Sequence, residues 1–263
     1  MKRFFYHCFL LGLFIFPFGY VQAYKNTYAV IIGVADYAGG NSSDLTFSVR
    51  DAQLFYEFLM SPAGGDVPAS NIYLLKDGQA SKSNILYYTR KLFSTAGEDD
   101  RVIFYFSGHG SSGYLLPYDA TLSSSNWLSY EEVKSLFRCS DAKTKLMFAD
   151  ACYSGDFKNT LPQKDQSKNI SVRKSSDIAI MLSCGDNEYS MESGFLRQGV
   201  FSYFLIKGLK GAADRDQNKT ITIQELFYYV HRETRSYAQR QGRDQKPVLI
   251  GKFDLRLIVG YRL

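Results

Sequence analysis

A cysteine and a histidine each follow directly after a predicted buried strand. Cys152 lies in the sequence DACYSG, after the apolar run Leu146–Ala149. His109 lies in the sequence SGHG, after the run Val102–Phe106. A cysteine thiolate is a strong nucleophile, and a neighbouring histidine can accept the thiol proton and later protonate a leaving amine. The backbone N–H groups of Cys152 and Gly110 would then hold the developing oxyanion, so these residues predict covalent cleavage of an acyl bond.

Of the other cysteines and the histidine beyond the N-terminal segment, only Cys184 also follows a predicted strand. Cys139 and Cys184 fit packing roles, and His231 falls on a predicted helix, where we expect it to be exposed. An alternative for the central pair is a buried structural cysteine and a histidine that caps a turn. The position of Cys152 and His109 at two strand ends favours the catalytic interpretation.

Alternating strands and helices are predicted around these residues. Short apolar, β-branched and aromatic runs predict five core strands, with helical spacing of apolar residues between them. A third helix is predicted to begin at a capping box of Ser129 and Glu132. This order favours an α/β fold with a mostly parallel sheet between helices, whose reactive site lies beyond the carboxyl ends of the strands. The predicted strands are Tyr28–Val34, Ile72–Leu75, Val102–Phe106, Leu146–Ala149 and Ile178–Ser183, and the first two helices cover Phe47–Leu59 and Ile85–Phe93.

The two motifs resemble those of the caspase and metacaspase family. SGHG around His109 is similar to the histidine motif of the family, and DACYSG around Cys152 resembles the metacaspase form of its cysteine motif. The resemblance extends to Tyr28–Val34 with the DY that follows it, and to the helix start at Gly199. It implies a caspase-like three-layer α/β/α sandwich with a mostly parallel central sheet. It also implies hydrolysis of protein or peptide substrates through an acyl-enzyme on Cys152, a chemistry that requires no cofactor.

The resemblance also implies a pocket for a basic substrate side chain. Two positions before the nucleophile, caspases place a glutamine in a pocket that grips an aspartate, whereas this chain has Asp150. In metacaspases the matching aspartate joins a second one near the start of the first helix, here Asp51, with Ser107 and Ser48 as polar neighbours. Two such carboxylates would raise one another's pKa in the empty pocket and favour Arg or Lys over Asp before the scissile bond. The alternative for Asp51 is a helix cap or an ion pair with Arg50 or a nearby lysine.

A long polar segment, Lys158–Ser176, follows the cysteine motif and is predicted to be an exposed loop. It contains several lysines and arginines and little apolar periodicity. The resemblance implies that it joins the large and small parts of the caspase fold, and we expect it to be cut after a lysine or arginine by the enzyme itself. A second, shorter loop is predicted at Gln239–Lys246.

An acidic loop between the predicted helices Phe201–Leu209 and Gln224–Tyr237 has the spacing of a calcium-binding EF-hand loop. Lys219, however, stands at position 6 of that pattern, where a glycine normally permits a sharp turn. The alternative is a polar turn in which Thr222 caps the following helix. If calcium binds, we expect it to have a structural role. The candidate ligands are Asp214, Asp216, Asn218, Thr220 and Glu225.

The N-terminal segment has the features of a secretory signal. Two basic residues precede an apolar stretch around Phe9–Phe18, and the small-residue ending VQA follows. Because the apolar stretch is shorter than a spanning helix, we expect cleavage after Ala23 and no stable membrane span afterwards. The sequence therefore predicts a signal peptide at residues 1–23, one caspase-like peptidase domain at residues 24–263, and export to the periplasm or the extracellular space.

The composition argues against several other functions. The formal net charge is +5, and two of these charges lie in the signal segment. The remaining excess is small and spread along the chain, so we expect no nucleic-acid partner. The chain lacks both the Cys-x-x-Cys motif of thiol oxidoreductases and zinc-type Cys/His spacing. The main alternative is a caspase-fold binding or regulatory module with little or no peptidase activity, which a missing nucleophile or base would favour.

Overall fold

Strands and helices alternate along the chain, as predicted. The structure is a computed structural model that describes residues 24–38, 44–121, 126–152, 177–185 and 188–262. In chain order, its elements are β1 (Thr27–Gly33), α1 (Ser48–Met60), β2 (Ile72–Lys76), α2 (Lys82–Phe93), β3 (Arg101–Ser107), β4 (Gly110–Ser111), β5 (Tyr114–Leu115), β6 (Leu128–Ser129), α3 (Tyr130–Arg138), β7 (Thr144–Asp150), β8 (Asp177–Leu182), β9 (Glu192–Ser193), β10 (Gln198–Gly199), α4 (Val200–Lys207), β11 (Thr220–Thr222), α5 (Ile223–Arg240), β12 (Val248–Lys252) and β13 (Ile258–Tyr261).

The central sheet has the strand order β12-β8-β7-β3-β1-β2. All five predicted strands are present and run parallel to one another. Strand β12 was not predicted, and it pairs antiparallel with β8 at one edge of the sheet. The register sets Gly33, Ser107 and Asp150 side by side at the carboxyl edge. The segments that follow β3 and β7 therefore leave the sheet at neighbouring points.

Helices cover both faces of this sheet. Alternate side chains of β1 enter different cores: Val30 and Ile32 pack on the side of α2 and α3, whereas Ala29 and Ile31 pack on the side of α1, α4 and α5. Strands β3 and β7 are buried along their full length because neither face of the sheet is open to water. The result is the caspase-like three-layer α/β/α sandwich that the resemblance implied.

The predicted start of α3 is confirmed in detail. The Glu132 N–H donates to Ser129 Oγ at 3.2 Å, and the Ser129 N–H donates to Glu132 Oε2 at 2.8 Å. This reciprocal capping box satisfies two backbone donors that the first turn of a helix leaves without a partner.

Two local predictions were wrong, and a third had an inexact boundary. The predicted loop Gln239–Lys246 is present but begins after Arg240, where α5 ends, and its residue Gln245 is fully buried. Cys139 lies exposed at the end of α3 instead of packing in the core. His231 is half-buried, and its Nδ1 atom lies 2.8 Å from the carbonyl oxygen of Pro247. For Gln245 and His231, contacts between segments separated in the chain decide the burial.

The predicted signal segment, residues 1–23, and the predicted loop Lys158–Ser176 lie outside the described residues. The export signal and the self-cutting loop therefore stay predictions. Across the part of the chain that the structure describes, no helix combines the length and the apolar character needed to cross a bilayer.

Candidate active site

The ends of β3 and β7 carry the histidine and the cysteine into one cavity. Ser107 ends β3 beside Asp150, which ends β7, and the Gly108 N–H donates to the Asp150 carbonyl oxygen at 3.1 Å. Two residues beyond these strand ends, His109 and Cys152 both line a cavity of about 240 Å³. The structure thus brings the predicted catalytic pair together.

The two motifs approach each other closely through their backbones. A methyl group on Gly110 would lie 2.5 Å from the carbonyl oxygen of Cys152 and 3.0 Å from Cβ of Ala151. Only glycine fits at this position. From the neighbouring strand end, Ser183 holds the same segment, because its hydroxyl accepts from the Ala151 N–H at 3.1 Å and donates to the Ala151 carbonyl at 2.9 Å.

Tyr37, just beyond the end of β1, holds the histidine from the other side. The His109 N–H donates to the Tyr37 hydroxyl oxygen at 2.6 Å, and the two ring centroids are 5.0 Å apart. Burial raises the pKa of Tyr37, so its hydroxyl keeps its proton. We did not predict a role for Tyr37 in the site, although its position after a strand end is the same signal that identified His109.

Partial burial of Cys152 favours the neutral form of its thiol. Burial raises its pKa to about 11, and Cys184 and Asp150 contribute in the same direction, while a hydrogen bond with the backbone of Ser190 opposes them. The thiol therefore keeps its proton near neutral pH, and a base must remove that proton before the sulfur can attack. Cys184 is buried behind the site, where its Sγ lies 3.4 Å from the Ala151 carbonyl oxygen.

Asp51 and Asp150 also line the cavity, as the resemblance implied. The Asp51 carboxylate accepts from the Gly199 N–H at 2.9 Å and from the side chains of Gln198 and Ser107, each at 3.3 Å. In the described part of the chain no basic side chain pairs with Asp51, so the alternative of an ion pair with Arg50 or a lysine is wrong.

The Asp150 carboxylate is held mainly from the first turn of α4. Ser202 donates to its Oδ2 atom through both the backbone N–H, at 3.1 Å, and the hydroxyl, at 2.7 Å. The Ser190 hydroxyl donates to the Oδ1 atom. The N-terminal end of a helix favours negative charge, so α4 stabilises both carboxylates.

The pKa values of both carboxyl groups lie above the ordinary value for aspartic acid. Burial is the main cause for Asp51, and the negative charge of Asp150 adds to it. Burial is also the main cause for Asp150, with hydrogen bonds from Ser190 and Ser202 acting against it. The upward direction agrees with the prediction, but loss of water contributes more than mutual repulsion. A cation in the cavity would relieve this cost by compensating the charges.

A third carboxylate, that of Glu192 on β9, lines the same cavity and was not predicted. Its Oε1 accepts from the Phe47 N–H at 2.7 Å, and its Oε2 accepts from the Thr46 N–H at 2.9 Å. Glu192 thereby caps α1, which has no side-chain cap of its own. The buried side chain of Ser48, at the first position of α1, lines the cavity as predicted.

Gln245 ties together three segments around the cavity. Its Oε1 accepts from the Met191 N–H, and its Nε2 donates to the Ser183 carbonyl and to Ser190 Oγ, all at 3.1 Å. A buried amide that uses both its acceptor and its donors fixes the relative position of its neighbours. No local sequence signal marks Gln245, because the surrounding residues are polar.

The acidic loop lies apart from the cavity. Asp214, Asp216 and Glu225 each bring one carboxylate oxygen within 4.8 Å of the others. The other two candidate ligands turn towards each other instead, because the Thr220 hydroxyl donates to Asn218 Oδ1 at 2.6 Å. The capping alternative is also realised, since Thr222 Oγ1 accepts from the Glu225 N–H at 3.2 Å.

Comparison with known proteins places the chain in a family. The model of the caspase domain family matches residues 26–254. A probable protease from a Desulfuromonadales bacterium is 24% identical over 240 residues; the match covers 78% of this chain and 29% of that protein, so this chain spans less than a third of that relative. A crystal structure of a Geobacter sulfurreducens protein has the same fold, with a TM-score of 0.63, 15% identity, and coverage of 91% of this chain and 100% of that one. The chain belongs to the caspase domain family.

Proposed function

We propose that this protein is a cysteine endopeptidase that hydrolyses peptide bonds after Arg or Lys, with Cys152 as nucleophile and His109 as acid and base. One observation carries the proposal: the thiol and the imidazole line the same cavity as two buried carboxylates, Asp51 and Asp150. The first pair supplies the chemistry of peptide cleavage, and the second supplies a recognition site for a cation. The family relationship supports peptidase activity at a coarser level.

The neutral thiol sets the order of events. When a peptide enters, His109 accepts the Cys152 proton, and the sulfur attacks the carbonyl carbon of the scissile bond. The backbone N–H groups of Gly110 and Cys152 stabilise the negative oxygen of the tetrahedral intermediate. His109 then protonates the leaving amine as the C–N bond breaks, which leaves a thioester on Cys152. A water molecule, deprotonated by His109, hydrolyses the thioester and restores the thiol, so no cofactor is needed.

Specificity for a basic residue follows from the uncompensated charge of the cavity. Asp51, Asp150 and Glu192 all line it, and burial raises the pKa of the two aspartates because it removes water from their charged forms. A guanidinium or ammonium group is stabilised at this position, whereas an aspartate side chain is repelled. Arg243 also lines the cavity and is the one basic side chain among its described lining residues besides His109.

The place of action is proposed from the N-terminal segment. Residues 1–23 have the basic start, apolar centre and small-residue end of a secretory signal, so we place the mature enzyme in the periplasm or the extracellular space. N-terminal sequencing of the protein recovered from cell fractions and medium tests this. A mature chain that begins at Tyr24 is expected, and an uncleaved chain in the cytosol would contradict it.

The decisive experiment measures hydrolysis of fluorogenic peptides that differ only in the residue before the scissile bond. We expect cleavage after Arg and Lys, and a loss of at least about a thousandfold in Cys152→Ala and His109→Ala. Cys139→Ala is the matched control, because this thiol is exposed and lies outside the cavity. Activity near the wild-type level in folded Cys152→Ala, checked by circular dichroism, would refute the assignment of the nucleophile.

A further inference from the structure

The acidic loop from Asp214 to Glu225 presents a cluster of carboxylates that peptide hydrolysis does not use. The loop follows a π-helical turn, Gly208–Ala212, that continues α4, and it ends in the first turn of α5. Asp214, Asp216 and Glu225 contribute oxygens that lie within 4.8 Å of one another. Three carboxylates this close repel one another unless a cation lies between them.

A buried oxygen in this cluster has no partner. The Asp214 side chain has no exposed surface, and its Oδ1 atom makes no hydrogen bond to any described residue. Its Oδ2 atom accepts from the Lys219 N–H at 3.2 Å and lies 3.5 Å from Nη1 of the half-exposed Arg262. A buried carboxylate oxygen that accepts no hydrogen bond destabilises the folded state. Oδ1 of Asp214 therefore lacks a binding partner, which a cation would supply.

The backbone of the loop already has the turn that a calcium loop requires. Lys219, at position 6, adopts a left-handed conformation with φ of 68°, although it is not glycine. Immediately after it, β11 pairs with β13 and holds the second half of the loop. The capping box of Thr222 and Glu225 fixes the carboxylate at position 12, whose Oε1 also accepts from the Arg215 N–H at 3.3 Å.

We propose that this loop binds one calcium ion through the carboxylates of Asp214, Asp216 and Glu225. The remaining oxygens come from the side chain of Asn218, after release of its hydrogen bond from Thr220, and from the Thr220 backbone carbonyl, as the EF-hand spacing indicates. Calcium suits the site better than magnesium does, because it accepts six to eight oxygen ligands in flexible geometry, whereas magnesium requires a strict octahedron. Lys219 and Arg262 partly neutralise the site and weaken binding.

The site is structural. It stands at the connection between α4 and α5, and Ile221 in this loop is a fully buried member of the core on their side of the sheet. The complete set of ligands exists only in the folded state, so the ion binds the folded protein and not the unfolded chain. Calcium therefore raises the free energy of unfolding. The proposal is independent of the proposed peptidase activity, since none of its ligands lines the catalytic cavity.

The test uses calorimetric titration and thermal unfolding of the purified protein carrying Cys152→Ala, so that self-cleavage cannot alter the sample. After treatment with a chelator, we expect one calcium ion per chain and a rise in Tm of several degrees at about 1 mM calcium, with a smaller rise in magnesium. Absence of binding up to about 10 mM calcium, or an equal response to both ions, would overturn the proposal.

Three variants make the test specific. Asp216→Ala removes an exposed ligand without opening the core, and it should abolish the calcium-dependent rise in Tm. Lys219→Gly relieves the left-handed backbone and removes a positive charge, so it should tighten binding by roughly tenfold. Glu57→Gln removes an exposed carboxylate on α1, far from the loop in sequence, and should respond as the parent does. A calcium response that persists in Asp216→Ala would also overturn the proposal.

Discussion

The Oδ2 atoms of Asp51 and Asp150 face one point beside Gly199, the residue before helix α4. A methyl group on Gly199 would lie 2.9 Å from the Asp51 oxygen and 2.4 Å from the Asp150 oxygen. Both distances are shorter than a carbon atom tolerates, so the two carboxylates and the start of α4 occupy the space completely. The geometry of the proposed specificity pocket therefore depends on a glycine at position 199, because a Cβ atom there would collide with both carboxylates.

Gly199→Ala should damage recognition of basic substrates. The added methyl group must displace at least one carboxylate, and we expect the KM for an Arg peptide to rise roughly tenfold or more, with a loss of about 1–3 kcal/mol in the free energy of unfolding. Gly194→Ala is the matched control, because a methyl group there meets nothing within 4 Å. Kinetics on an Arg peptide and thermal unfolding check both changes. Wild-type KM in Gly199→Ala would mean that basic substrates do not contact these carboxylates.

Asp150→Asn should relax the preference for Arg. The amide keeps an acceptor for the Ser202 N–H and can donate to Ser190, so the fold survives while the charge is lost. We expect kcat/KM for the Arg peptide to fall by roughly tenfold or more relative to a matched Ala peptide. The measurement compares peptides with Arg, Lys, Asp and Ala before the scissile bond, with Asp254→Asn as an exposed control. An unchanged Arg preference, or a wild-type preference for Asp, would show that the pocket is elsewhere.

Glu192→Gln should affect both helix α1 and the pocket. A glutamine has one acceptor oxygen, so the N–H groups of Thr46 and Phe47 lose one of their two partners, at a cost of about 1 kcal/mol in stability. Loss of the third carboxylate should also raise the KM for Arg peptides. Glu98→Gln, which changes an exposed carboxylate far from the cavity, should leave both quantities unchanged. A lower Tm with unaltered KM would confine Glu192 to a structural role.

Alkylation of Cys152 should be slow at neutral pH and accelerate steeply in base. The thiolate is the reactive form, and because burial raises the pKa of Cys152 to about 11, the thiolate fraction grows as pH rises towards that value. Below the pKa, the rate of labelling by iodoacetamide should increase about tenfold per pH unit. Mass spectrometry of the labelled peptides separates Cys152 from the exposed Cys139. Fast labelling of Cys152 that is independent of pH between about 6 and 9 would indicate a thiolate already formed in the free enzyme.

The predicted loop Lys158–Ser176 should be cut after a lysine or arginine by the enzyme itself. Its basic residues match the specificity proposed for the cavity, and it begins six residues after Cys152, the proposed nucleophile. Intact-mass analysis of purified wild type and Cys152→Ala checks this, with cut chains expected in the wild type alone. If this segment stays intact in the wild type, or is cut equally in both proteins, the prediction of self-processing is wrong.

The sequence by itself was sufficient for the five parallel strands of the sheet and for the position of the predicted catalytic pair. Five strands, the first three helices and the capping box of Ser129 and Glu132 depend on patterns within a few residues, which a sequence displays directly. His109 and Cys152 could be paired because parallel strands deliver their following segments to one edge of the sheet. The prediction that Asp51 and Asp150 lie in one pocket also required the family resemblance. The residues around each of them do not by themselves indicate that the two side chains come together.

Only the tertiary structure decided what surrounds these residues. Glu192 caps a helix that begins more than 140 residues earlier in the chain, and Gln245 braces segments more than 50 residues away. These contacts depend on how the β9–β10 hairpin and the segment after α5 pack against the sheet. No local pattern of residue types predicts that packing. Burial has the same origin: distant segments that pack around Cys152 partly exclude water from its thiol, and this burial raises the pKa of the thiol.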